Sequence, residues 1–92
     1  MHSPLTAHAR TRMQQRGISP TALELLLHFG RETHDHRGCR IVRFDKRSRR
    51  HVLHEFGPEC YRRLERCFNA YAVVAADEAV VTVGHRRRRS PA

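Results

Sequence analysis

Residues 70–85, AYAVVAADEAVVTVGH, hold two valine-rich runs joined at ADEA, and no other stretch restricts the fold as much. β-Branched side chains lose freedom in a helix and pack well on a pleated surface. The pattern predicts a hairpin, and runs this uniformly apolar suit the centre of a sheet with a covered face. Alternation along the second run puts Val81 and Val83 on one face, with Val80, Thr82 and Gly84 on the other. A chain of 92 residues has room for one modest core, so the cover must come from the same domain.

The N-terminal third supplies it. In SPLTAHARTRMQQRG, Ser3 is placed as N-cap, Pro4 as the first helical residue and Gly17 as the left-handed stop, which predicts a helix over 4–15. ISPTALELLLHFG opens a second helix with Ser19 as cap and Pro20 at its first position, and Ile18 packs on Leu23 as a hydrophobic staple. Gly30 closes it. Leu23, Leu26 and Leu27 form the apolar stripe, and the short link at Gly17 and Ile18 turns the two helices into a corner.

Beyond Gly30 the period changes. RETHDHRGCRIVRFD reads as a hairpin turning near HRG, with the stronger strand from Cys39 to Asp45. KRSRR reads as a basic turn leading to a strand HVLHEF, and GPECYRRLERCF as a short helix from Pro58 that buries Tyr61, Leu64 and Phe68. The expectation is a single α+β domain over 1–85, two N-terminal helices packed on a small curled antiparallel sheet whose central hairpin is Ala70 to His85. A basic tail follows over 86–92.

Eighteen Lys and Arg stand against nine Asp and Glu, a formal charge of +9, and all but one of the eighteen are arginine. Polyanions are the natural partners. Arginine's planar fork matches phosphate bidentately and stacks on bases, which favours nucleic acid over a membrane surface. Arg47, Arg49 and Arg50 in the central turn and Arg86, Arg87 and Arg88 in the tail are the candidate phosphate contacts. Three cysteines cannot all pair within one chain and Met1 to Arg10 lacks an apolar run, so a reducing, cytoplasmic setting is expected. No apolar run approaches the roughly 18 residues needed to cross a bilayer.

Within the first helix, His8, Arg12 and Arg16 recur every four residues. With Leu5, Ala9 and Met13 setting the inward direction, Arg16 projects within roughly 20–30° of it, Arg12 about 60° and His8 about 100° to one side. Charge is thus aimed past the edge of the core, either to pair with Glu55 or Asp45 or to meet a phosphate in a cleft. Thr82 faces a sheet surface, and His85 and Arg86 follow where the last strand exits. His34, His36 and Cys39 are metal-ligand types within six residues, but they lack the paired spacing of a structural zinc site.

LTAHARTRMQQRGIS resembles the N-terminal signature of the DUF4258 family of small bacterial proteins, in which a histidine, an RM pair and RGI open the first helix and its turn. VVTVGHR is similar to that family's closing strand. The resemblance implies a fold related to the RelE and ParE toxins and to the barnase, colicin and RelE group of ribonucleases. Relatives often carry a tyrosine near the position of Gly84, and this chain has none there. On the matched motifs the implied catalytic group is His8, Arg12, Arg16, Thr82 and His85. The expected function is a toxin-like RNA endonuclease working without metal or other cofactor. One histidine would take the ribose 2′-OH proton, the other would serve as acid, and the arginines would stabilise the phosphoryl charge. The competing readings are a non-catalytic nucleic-acid-binding module and a protein-interaction domain docking on an acidic partner such as an antitoxin.

Overall fold

Helix α2, Pro20–Phe29, forms as its caps dictate: the Ser19 hydroxyl accepts from the Ala22 N–H at 3.1 Å, proline holds the first position, and Ile18 and Leu23 are both buried. The computed structural model describes residues 4–35 and 37–86. Its order is α1 (Ala7–Arg16), α2, β1 (Arg31–His34), β2 (Arg40–Arg43), α3 (Lys46–Leu64), a 3-10 turn (Glu65–Cys67), β3 (Ala70–Val74) and β4 (Val80–His85). The architecture is α+β, with two N-terminal helices followed by one four-stranded antiparallel sheet in the order β1-β2-β3-β4. Among the described residues no helix is long and apolar enough to cross a membrane.

Helix α1 starts three residues later than its sequence signals predict. Pro4, Leu5 and Thr6 are held extended by β4: the Val80 N–H donates to Pro4 O at 2.8 Å, and the Thr6 N–H donates to Val80 O at 3.1 Å. A tertiary backbone pairing thus overrides a local proline signal. Thr6 becomes the N-cap, its hydroxyl accepting from the Ala9 N–H at 3.1 Å and donating to Val81 O at 3.2 Å. Gly17, at φ 65°, ends the helix as expected.

The larger correction concerns residues 46–56, expected as a turn and a strand but folded as the first half of α3. Asp45 and Ser48 form a capping box: the Ser48 N–H donates to Asp45 Oδ1 at 2.8 Å, and the Asp45 N–H donates to Ser48 Oγ at 2.7 Å. Ser48 and Val52, four apart, are buried on one side, a helical spacing that the hydrophobic run HVLHEF conceals. The helix kinks at Gly57, whose φ of 84° and ψ of 172° belong to a region open to glycine alone. Pro58 follows and begins the second half, from which Leu64 is buried and Tyr61 half-buried, next to the buried Phe68.

The β3–β4 hairpin is present, but β4 lies at the edge of the four strands rather than at their centre. Alternation along β4 also fails. Val74 pairs with Val80 and Val73 with Thr82, so Val81 is an extra residue in a bulge. Val80 and Val83 consequently both face the core, at 0% and 2% exposure, opposite Val74 and Ala72. That face is covered by α1 through Ala9 and Met13 and by α2 through Ala22, Leu23 and Leu26, while Val52 of α3 completes the core.

The cap of α3 is testable. The Ser48 N–H chiefly, with the Ser48 hydroxyl and the Arg31 guanidinium, holds the Asp45 carboxyl below its ordinary range against the opposing effect of desolvation. A lowered carboxyl stabilises the fold above its unfolded value, near pH 4, and that contribution is lost as pH falls through the folded value. Asp45→Ala should therefore cost about 1 kcal/mol at neutral pH, read as a lower melting temperature. The difference from the parent should shrink on acidification below about pH 4.

Candidate functional site

A helix end leaves its last carbonyls without partners, and one of those on α1 is met from across the molecule. His85 pairs with buried Ala70 and so turns to the helix side of the sheet. There its Nε2 lies 2.9 Å from Arg16 O, and its Nδ1 lies 2.7 Å from the Asn69 carboxamide. A carbonyl only accepts, so Nε2 carries a hydrogen and donates to it. In the neutral ring Nδ1 then accepts, and Asn69 presents its NH₂ group. In the doubly protonated ring it presents its oxygen. Either way both ring nitrogens are engaged, Nε2 joining β4 to the end of α1 and Nδ1 joining it to the residue before β3. Asn69 also accepts from the Arg86 N–H at 2.6 Å through its backbone carbonyl, so one residue fixes both ends of the strand exit.

The ladder on α1 is displayed rather than buried. His8 and Arg16 are exposed, and Arg12 is half-buried with Nη1 donating to Gln15 Oε1 at 3.4 Å on the same helix. With Leu5 outside the helix, Ala9 and Met13 alone set its inward side, and Arg16, in the last turn, is exposed. Thr82 lies elsewhere. It pairs with Val73, on the sheet face away from the helices, whereas His85 lies on the helix side. The structure therefore brings His85 to the end of α1 but separates Thr82 from it by the thickness of the sheet.

The face bearing Thr82 has two cross-strand rows. Arg31, Arg43, Tyr71 and Gly84 form one, and Thr33, Ile41, Val73 and Thr82 the other. Apart from exposed Arg31 and buried Gly84 these residues are half-buried. A Cβ placed on Gly84 would meet Tyr71 Oη at 2.9 Å and its Cε1 and Cζ at 3.0 Å. A point in the ring plane can be equidistant from those three atoms only at much shorter range, so the ring lies face-on over the glycine. An aromatic therefore does occupy the surface at Gly84, supplied by the neighbouring strand. The sequence signal was Tyr71 standing between buried Ala70 and Ala72 on a strand that alternates.

Arg47, Arg49 and Arg50 sit on α3 rather than in a turn. Arg47 and Arg50 are exposed and Arg49 half-buried. Opposite the buried Ser48 and Val52, Lys46, Arg50 and His54 recur every four residues, with Arg47 and His51 beside them. No acidic residue lies in the first turn. The ridge begins next to the sheet, where Arg31 Nη1 approaches the Asp45 cap at 3.9 Å. Arg86 is exposed after β4, while Arg87 and Arg88 lie outside the described residues, as does His36. Among the described residues no group of three or more His, Cys, Asp or Glu is placed to hold a metal. On the other side of the molecule, an open cleft of about 1040 Å³ runs between α1, α2 and α3 past Leu23, Leu27, Phe29 and Phe56. It includes Glu24 and Glu55, the wrong charge for a polyanion.

Compared with known proteins, residues 5–85 match the family model described as "Domain of unknown function (DUF4258)". No curated protein and no solved structure matches.

The His85 latch makes a prediction independent of activity. His85→Ala removes two hydrogen bonds and should lower stability by about 1–3 kcal/mol, at roughly 0.5–1.5 kcal/mol for each. Asn69→Ala, which keeps the bond to Arg16, should cost less. Thermal unfolding of the two variants beside the parent checks the order.

Proposed function

We propose that this chain, which belongs to the DUF4258 family, binds RNA through the phosphate backbone, with the arginines of α3 as its principal grip. The supporting observation is the position of the charge. Lys46, Arg47, Arg49 and Arg50 occupy the first turns of α3 with no acid among them, where the helix macrodipole is itself positive. Cations there oppose folding by a few tenths of a kcal/mol each, and an anionic ligand reverses the sign of that interaction. Arginine rather than lysine suits phosphate oxygens met bidentately.

A second reading is the toxin-like, metal-independent RNA endonuclease of RelE and ParE type. Its support is His8, exposed on α1 one turn from Arg12, where the ring is displayed to solvent while that of His85 is engaged on both sides. In that reading His8→Ala abolishes cleavage and leaves RNA affinity intact. An acidic protein partner such as an antitoxin would use the same arginines and compete with RNA for them.

Binding of a labelled oligoribonucleotide, followed by anisotropy over a range of salt, tests the principal reading. Each phosphate neutralised on a single strand contributes about 0.7 to the log–log slope. Arg47→Gln combined with Arg50→Gln should therefore make the slope shallower by roughly one unit, and removal of Arg86 to Arg89 by one unit or more. Slopes unchanged in both variants would overturn it.

A further inference from the structure

The sheet has one face packed by helices and another that the described helices leave open, and the open face is not an ordinary polar exterior. Its two rows contain no acidic side chain, set Arg43 beside Tyr71 and Arg31 beyond it, where Arg31 approaches the Asp45 cap at 3.9 Å, and run Ile41 and Val73 between two threonines. Adjacent strands lie about 4.8 Å apart, so Arg43 is the immediate neighbour of Tyr71, with Arg31 one strand further out. The ring itself is held flat. With one face resting on Gly84, its other face is turned away from the sheet, and the missing side chain at position 84 is what lets it lie so close.

Glycine weakens a strand and contributes nothing to the surface; here it gives the ring a seat. We infer that this face takes single-stranded RNA, with Tyr71 as the platform on which one base stacks, Arg43 and Arg31 at the adjoining phosphates, and Ile41 and Val73 as the apolar ground beside it. The inference rests on the RNA-binding reading and adds the form of the nucleic acid. A base inside a duplex is covered on both faces by its neighbours, so a flat ring with flanking arginines engages only an unstacked strand. Recognition of this kind tolerates sequence, because every base has a face to stack.

The chain has two tyrosines and no tryptophan, so Tyr61→Phe leaves Tyr71 as the sole long-wavelength emitter. Titrated with oligouridylate, a matched RNA duplex and heparin, that variant should show emission quenched by the single strand, with the midpoint of binding, and not by the other two. Tyr71→Leu should lower affinity for oligouridylate about tenfold or more and leave heparin binding unchanged, while Tyr71→Phe keeps both. Heparin binding that persists while oligouridylate neither quenches Tyr71 nor responds to Tyr71→Leu overturns the stacking platform alone. Failure of the parent to bind any of the three polyanions overturns the phosphate-binding reading and the platform with it.

Discussion

Two backbone hydrogen bonds between Val80 and the segment Pro4 to Thr6 determine where most of the remaining structure lies. They occupy one donor and one acceptor that the edge strand β4 would otherwise show to solvent, and so cover that end of the edge. They also delay α1 until Ala7 and deliver it to the side of β4 where Val80 and Val83 wait, so that Ala9 and Met13 close the core there. With α1 and α2 both committed to that side, the opposite face has no helix on it among the described residues. The open surface follows from this pairing.

Features set by neighbours in sequence were legible in advance, and those set by distant partners were not. Ser19, Pro20 and Ile18 announced α2 because a cap, a fixed φ and a staple act within a few residues. Pro4 offered the same kind of signal for α1 and was overruled by a strand more than 70 positions away; Ser3, its expected cap, lies outside the described residues. Helix α3 was missed for a different reason. Asp45 and Ser48 spell a capping box with serine in place of the usual glutamate or glutamine, and the basic run behind it has no apolar periodicity beyond Val52. The bulge at Val81 was invisible, since a uniform run of valines reads equally well in either register.

The site divides along the same line. That arginines would dominate it was plain from composition, and their presence on α1 and after β4 from position alone. Which groups meet was not, because a sheet separates residues an odd number apart. Thr82 and His85, three apart, fall on opposite faces, and His85 finds Asn69 and the end of α1, neither of which its neighbours in sequence suggest. Tyr71 was a single tyrosine in a strand until the register placed Gly84 beneath it.

That placement makes positions 71 and 84 share one volume. A methyl group at 84 would crowd two ring atoms and the hydroxyl oxygen of Tyr71, so the space above this end of β4 admits either a side chain rooted there or a ring reaching over from β3, but not both. Among relatives the two positions should change in concert, large opposite small. A chain with an aromatic at 84 and a small residue at 71 would present the same patch of ring from the other strand. The surface is then a property of the pair of positions, and an alignment read one column at a time would record it as two unrelated variations.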